Sequence, residues 1–369
     1  MFILLVISEI INVLIIKNLL YILLLLSSFS GLAQFSPQQQ NEIDRLDTVL
    51  DNPQSHDTSI VQAYVALSEI LYLSNLDTII PLCTKAQEIA EIALAKNPPS
   101  QIQIALKTSL SLALNNIGYI LHNQGNTSLA LEYHVKGLNI QEQIGDKRGL
   151  VSSYNNFGYI HRGLDNMVLA IEYYEKSFKI SEEIGDKEGM ANYYNNIGVI
   201  YRAQGNTSLA LEYYTKSIDT YGELGDKVNL AIAYLNVGLI HSKQKKTLLA
   251  LKFINKSREI NEKIGYKKGM AQSYTKIAEI RLLQGLLVGA EGALALATKS
   301  LALSKEVGYP NNIKDASGLL SKIYSRQGNF QKALEMRNIE IEMRDSLASE
   351  ENIKAAANQK AKYEYEKQK

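Results

Sequence analysis

Residues 145–184 read GDKRGLVSSYNNFGYIHRGLDNMVLAIEYYEKSFKISEEI, and residues 185–224 read GDKEGMANYYNNIGVIYRAQGNTSLALEYYTKSIDTYGEL. The second stretch nearly repeats the first at a spacing of 40 residues. A period of this size is the mark of stacked supersecondary units, each too small to bury its own apolar face. It also shapes the functional question, because such an array offers a long surface in place of one central pocket, and its default role is binding.

Traced outward, one small-residue position falls at Gly118, Gly158, Gly198, Gly238 and Ala278. A second falls at Ala130, Ala170, Ala210 and Ala250, and the next copy reaches Ala293, so three residues are inserted near 286–292. The last copy carries Ser321 and Ala333 at these places, and residues 64–71 with 85–93 read as a diverged first copy. About seven units result, over residues 60–96, 103–144, 149–184, 189–224, 229–264, 269–307 and 312–347. Within one unit, Met190, Tyr194, Ile197 and Tyr201 recur at three and four, which is one helix face, and Leu209, Ala210, Tyr213, Tyr214, Ser217, Ile218 and Tyr221 form another. Gly205 is suited to end the first helix and Asn206 or Thr207 to cap the second. Glycine inside a helix costs about 1 kcal/mol relative to alanine, so its recurrence implies packing, with Gly198 and Ala210 expected to let the two helices touch. No stretch alternates in the manner of a strand, and the expected fold is all-α.

The order Tyr194, Ile197, Gly198, Tyr201, Ala210, Tyr214, Ser217 resembles the tetratricopeptide repeat. Three departures stand out. Tyrosine replaces the usual tryptophan, in a chain with no Trp and 22 Tyr. The period is 40 where the family's is 34, and the closing proline is absent, its place falling near Glu182. The long period is similar to kinesin-light-chain-like and bacterial sensor arrays. The resemblance implies a right-handed α-solenoid over residues 60–347 that binds peptide or protein segments in a groove lined by the first helices.

The residues that could carry such binding are asparagines. Asn115 and Asn116, Asn155 and Asn156, and Asn195 and Asn196 recur in the first helix, and Asn236 continues the second column. A primary amide both donates and accepts, which complements a peptide unit. The column Asn116, Asn156, Asn196, Asn236 matches the place where superhelical members of the family grip a peptide backbone. Tyr119, Tyr159, Arg162 and Arg202 would add stacking and carboxylate-binding capacity on the same face. Duplication also copies a residue that does nothing, and an asparagine can satisfy a neighbouring helix end, so both readings stay open.

Lys+Arg number 39 against 38 Asp+Glu, without a basic stripe, which argues against nucleic acid as a partner. The single cysteine, Cys83, reads as a core residue and excludes an internal disulfide. His56, His122, His134, His161 and His241 form no metal-ligating spacing, and no nucleophile–base or phosphate-binding pattern is present, so neither metal, cofactor nor catalysis is expected.

At the N-terminus, Lys17 precedes the apolar run 19–26 and the small-residue sequence 27–33, the order of a secretory signal peptide over residues 1–33. The expected mature start is Gln34, which makes the protein exported. Residues 1–16 are also apolar, and together with the run to 30 they could reach the roughly 20 residues that cross a bilayer, so a retained inner-membrane anchor is the alternative. Residues 34–59 are a polar lead-in, with a short helix expected over 42–50. Residues 348–369 favour helix but have little to bury, and read as a connector-like tail on a monomeric array. The lead-in, the array and the closing stretches 344–347 and 363–368 resemble the extracytoplasmic part of Bacteroidetes sensor proteins, in which an array leads to a nucleotide cyclase or histidine kinase. That resemblance implies the alternative role of a sensory region, and an open frame in the DNA after Lys369 encoding a membrane span would decide it.

Overall fold

In a computed structural model, the structure describes residues 35, 37–72 and 78–347. The signal segment 1–33 and the tail 348–369 lie outside the described residues. The chain separates into two compact units, Met1–Arg45 and Leu46–Lys369, and the array lies in the second.

Every regular element among the described residues is a helix, and no strand occurs among them. A lead-in helix, α1 (Pro37–Asp51), is longer than the stretch expected from sequence. Helix pairs follow: α2 (Asp57–Leu71) with α3 (Ile79–Ala95), α4 (Ser100–Asn123) with α5 (Thr127–Ile144), and α6 (Lys147–Gly163) with α7 (Met167–Ile184). Next come α8 (Lys187–Ala203) with α9 (Thr207–Leu224), α10 (Lys227–Lys243) with α11 (Thr247–Ile264), and α12 (Lys267–Leu283) with α13 (Ala293–Val307). The last pair is α14 (Pro310–Arg326) with α15, residues 330–347. Each helix packs mainly on its neighbours in sequence, as in an α-solenoid.

Local chemistry sets the period. The Asn126, Asn166 and Asn206 side chains accept from the backbone N–H of Leu129, Leu169 and Leu209, capping the second helix of three units. Asp146, Asp186 and Asp226 do the same for the first helices of the following units. Such caps stabilise a helix end by about 1 kcal/mol. Between paired helices the chain turns through a left-handed residue, Gly205 at φ 81°, but the equivalent places in neighbouring units hold Asp165 at φ 59° and Lys245 at φ 58°.

The glycine column packs differently from the expected contact of small on small. Each glycine faces the side chain sixteen residues on. A Cβ on Gly158 would lie 2.5 Å from the Tyr174 ring, one on Gly198 2.8 Å from Tyr214, one on Gly118 2.8 Å from His134, and one on Gly238 2.5 Å from Ile254. The missing side chain thus makes room for a large buried one. Where Ala278 replaces the glycine, the equivalent place after the three-residue insertion holds Ala297, and both are fully buried in one cluster. The trade of volume across the helix pair is what close packing requires. Each second helix then packs on the next unit's first helix, as Tyr174 and Ala170 do with Ile197 and Ile200, and Tyr214 and Ala210 with Val237 and Ile240.

Rings repeat in the same way. Tyr201 stacks on Tyr213 at 5.5 Å, and one unit either side the pair is His161 on Tyr173 at 5.4 Å and His241 on Phe253 at 5.6 Å. These histidines therefore occupy aromatic positions. Cys83 is fully buried in the first core cluster, and burial pushes its thiol up to about 11.

Candidate functional site

The first helices of six consecutive units, from α4 to α14, line a single cleft of about 410 Å³. Helix α6 contributes Asn155, Asn156, Tyr159 and Arg162, and α8 contributes Asn192, Asn195, Asn196, Val199 and Arg202. From α10 come Asn229, Ile232, Leu235, Asn236 and Leu239. Tyr119 of α4, Tyr266 before α12, and Lys268, Gln272, Thr275 and Lys276 of α12 complete it, with Asn312 and Asp315 of α14. No second helix contributes. The cause is the pairing itself: second helices spend their wide apolar faces on the inter-unit core, and first helices present a narrow polar stripe on the opposite side.

Of the eleven residues singled out from sequence, nine therefore share the cleft: Asn155, Asn156, Asn195, Asn196, Asn236, Tyr119, Tyr159, Arg162 and Arg202. Asn115 and Asn116 do not line it. Asn115 is buried; its amide donates to Ser153 Oγ at 3.0 Å and its carbonyl oxygen lies 3.0 Å from His134 Nδ1. Ser153 donates in turn to Gln141 Oε1 at 2.6 Å, so Asn115 belongs to a buried polar network joining α4, α5 and α6. Asn116 donates to Ser68 Oγ of α2 at 3.3 Å.

The remaining asparagines tie consecutive first helices to one another. Asn196 Nδ2 donates to Asn155 Oδ1 at 2.8 Å, and Asn236 Nδ2 donates to Asn195 Oδ1 at 3.1 Å. Each bond leaves one amide hydrogen on the donor. Asn196 Oδ1 also accepts from Arg162 at 3.4 Å. Asn156 differs, because its would-be partner Asn115 is engaged in the core. Among the described residues Asn156 makes no side-chain hydrogen bond, and it lines the cleft half-buried. Lys276 stands next in the column after Asn236, at the same spacing of 40.

A group of rings closes one side. Lys268 Nζ donates to Asn123 Oδ1 of α4 at 3.1 Å and lies 4.4 Å from the Tyr309 ring centre and 6.0 Å from that of Tyr119. The Tyr72 hydroxyl donates to the Tyr119 hydroxyl at 3.0 Å. Residues 145 positions apart thus meet through side chains. Burial opposes the charge on Lys268, and the phenol oxygens of Tyr119, Tyr266, Tyr159 and Tyr309 outweigh it, so its ammonium is held above the ordinary lysine range. Burial also raises Tyr119, but Lys268 and the hydrogen bonds from Tyr72 and Asn123 bring that phenol below its usual value. Arg162 stacks on Tyr159 at 4.9 Å, and Arg202 lies against the buried Tyr214 hydroxyl.

Sequence reasoning missed Asn192, Asn229, Lys268, Lys276, Asn312 and Asp315 of this cleft. Lys276 could have been found by stepping the asparagine column once more. Lys268 had no signal, since its partners lie in a distant unit.

Residues 109–183 and 149–223 match the tetratricopeptide repeat family. The matched stretches cover α4 from Ser109 through α9, and the same helix pairing continues on both sides of them. Among solved structures, the apo form of RapI superposes with a TM-score of 0.52 at 17% identity, covering 78% of this chain and 99% of its own. At that identity it shows a shared fold of helical repeats. A Rap protein complexed with Competence and Sporulation Factor covers 85% of this chain and 100% of its own, at 13% identity and a TM-score of 0.46, which adds nothing to the fold assignment. No curated protein matches the chain in sequence.

Proposed function

We propose that the protein is a non-catalytic interaction module that holds an extended peptide or protein segment in the cleft of its first helices. The observation that carries this reading is the line of amides along one cleft, with Asn156 making no side-chain hydrogen bond among the described residues and Asn196 and Asn236 each keeping a donor. Neighbouring helices lie about 8–10 Å apart, and an extended peptide rises about 3.3 Å per residue. One amide would therefore meet roughly every third ligand residue. A cleft of about 410 Å³ is within the ordinary range for ligand sites. The fold shared with helical-repeat proteins supports the same reading.

The test is a peptide-display selection on the full chain, followed by Asn156→Ala. Loss of that amide should weaken a selected peptide by about 0.5–1.5 kcal/mol, or two- to twelve-fold in Kd. Melting should not fall, because Asn156 makes no side-chain hydrogen bond among the described residues and alanine is the better helix former. A controlled selection that yields no binder, or binding unaffected by the substitution, would sink the proposal. The order of residues 17–33 supports placing this groove outside the cytoplasm, with Gln34 at the mature N-terminus. Sequencing the N-terminus from membrane and periplasmic fractions decides between export, an anchor and neither. The resemblance to sensor arrays supports a second role for the same groove, as the ligand-receiving region of a signalling protein.

A further inference from the structure

The chain as a whole is balanced, with 39 basic and 38 acidic residues, but its cleft is not. Four cations line it, Arg162, Arg202, Lys268 and Lys276, against the single carboxylate of Asp315. Lys276 is neutralised by Glu279 at 2.8 Å. Among the described residues the other three form no ion pair, although all three are half-buried. Two exposed or rim lysines just outside it do find a carboxylate within their own helix pair, Lys187 with Glu223 and Lys267 with Glu306.

Withdrawing a cation from water is costly unless an opposite charge accompanies it. Here the substitutes are weak. Arg162 has the Tyr159 ring and one long bond to Asn196, and Lys268 has ring faces and the Asn123 carbonyl oxygen. These groups orient both cations without neutralising them, and both belong to one ring group, since Tyr159 touches Arg162 and acts electrostatically on Lys268.

We infer that the groove selects an acidic peptide segment, with one ligand carboxylate received between Arg162 of α6 and Lys268 of α12 and a second by Arg202 of α8. This inference rests on the groove reading above. The two arginines stand at the same place in successive units, whereas the units before and after hold His122 and Ser242. At one unit per roughly 10 Å and about 3.3 Å per extended residue, acids three positions apart in the ligand would meet both. Arginine's planar fork suits bidentate capture of a carboxylate. Nucleic acid fits less well. Its affinity accumulates over many neutralised phosphates, and the Tyr159 ring that a base would need is already edged by His122 and covered by Arg162.

The experiment uses the full chain and labelled synthetic peptides with Glu at every third position in a Ser/Ala background. Isosteric Gln and Lys versions and a single-stranded oligonucleotide serve as comparisons, with fluorescence anisotropy as the readout. The Glu peptide should bind at least about tenfold tighter than the Gln peptide, with an advantage that shrinks as salt is raised. Arg162→Gln and Arg202→Gln should each remove most of that advantage. Arg162→Glu should turn the preference toward the Lys peptide, a gain that an unfolded variant cannot give. Equal binding of Glu and Gln peptides, with both weakened in Asn156→Ala, would overturn the acidic inference and leave the groove reading standing. Binding of neither peptide to the unaltered chain would overturn both. Tighter binding of the oligonucleotide would overturn the peptide assignment.

Discussion

Replacing Gly198 by alanine tests whether the glycine column exists to admit rings. The added methyl would lie 2.8, 2.9 and 3.2 Å from Cε1, Cδ1 and Cζ of Tyr214. Ordinary carbon contacts sit at about 3.5–4.0 Å, so the nearest atom is short by roughly 0.7 Å. The ring cannot withdraw, because Tyr214 is 0% exposed and packs with Ala210, Val237 and Ile240. Overpacking of this kind costs about 1–3 kcal/mol. Alanine's better helix propensity returns about 1 kcal/mol, leaving a net loss of about 0–2 kcal/mol. Gly222 is the control. It is exposed, lies inside α9, and a Cβ there meets nothing within 4 Å, so Gly222→Ala should stabilise by about 1 kcal/mol. The two variants should therefore differ by about 1–3 kcal/mol, from the same chemical change. Urea unfolding followed by far-UV circular dichroism gives the midpoints, with hydrogen exchange of α8 and α9 as the local measure, since repeat arrays need not unfold in one step. A third variant, Gly198→Ala with Tyr214→Ala, copies the Ala278 and Ala297 pair and should be less destabilised than the two single changes added together. If Gly198→Ala stabilises as much as Gly222→Ala, the ring-admission argument is wrong.

Acid should destabilise the array through two histidines that the fold keeps neutral. Burial, with a smaller effect of His122, depresses His134 to about 3, and burial depresses His161 to about 4, against roughly 6.5 in the unfolded chain. The unfolded state thus binds more protons below that value, and stability, full above about pH 6.5, should fall as pH drops toward 4. With two such groups the loss approaches about 2–3 kcal/mol per pH unit near pH 5. His161→Tyr, which copies the ring at Tyr201, should flatten the curve, and denaturant midpoints across pH 4–7 measure it; an unchanged slope would show that His161 does not titrate this way. A different substitution should stabilise at every pH. Lys245 holds a left-handed conformation at φ 58° where a sister unit has Gly205, and the strain is worth about 1–2 kcal/mol, so Lys245→Gly should raise the unfolding midpoint.

Much of this fold can be read from sequence because its causes are local and repeated. The asparagine and aspartate caps and the turn glycines each act within a few residues of their place in the chain, and the two small-residue columns show themselves by their fixed spacing. The partner of each glycine was less visible. It lies sixteen residues on, in another helix, and changes from His134 to Tyr174, Tyr214 and Ile254, so only its volume relates the four. Asn115 shows the opposite difficulty. Its residue type and register match Asn155 and Asn195, but a histidine where the next two units have tyrosine gives it a buried partner and draws it from the cleft. The Lys268 contact with Asn123 depends on the accumulated geometry of several units, which no single repeat encodes.

Duplication alone explains why Asn156, Asn196 and Asn236 recur, and the bonds of Asn196 to Asn155 and of Asn236 to Asn195 give those two copies a structural use. It does not explain residues that break the pattern. The place of Lys268 holds Arg148, Glu188 and Val228 in earlier units, and Lys276 interrupts a column of four asparagines. Arg162 and Arg202 share one place in the two most alike units, and it is the change from His122 and to Ser242 on either side that breaks the pattern there. These cations all meet in one cleft, and three of them stay unpaired among the described residues. A surface residue that departs from its repeat, and is half-buried without counter-charge, gains nothing for the array that a neutral side chain would not supply. The cations that break the repeat are therefore better markers of what the groove holds than the asparagines that follow it.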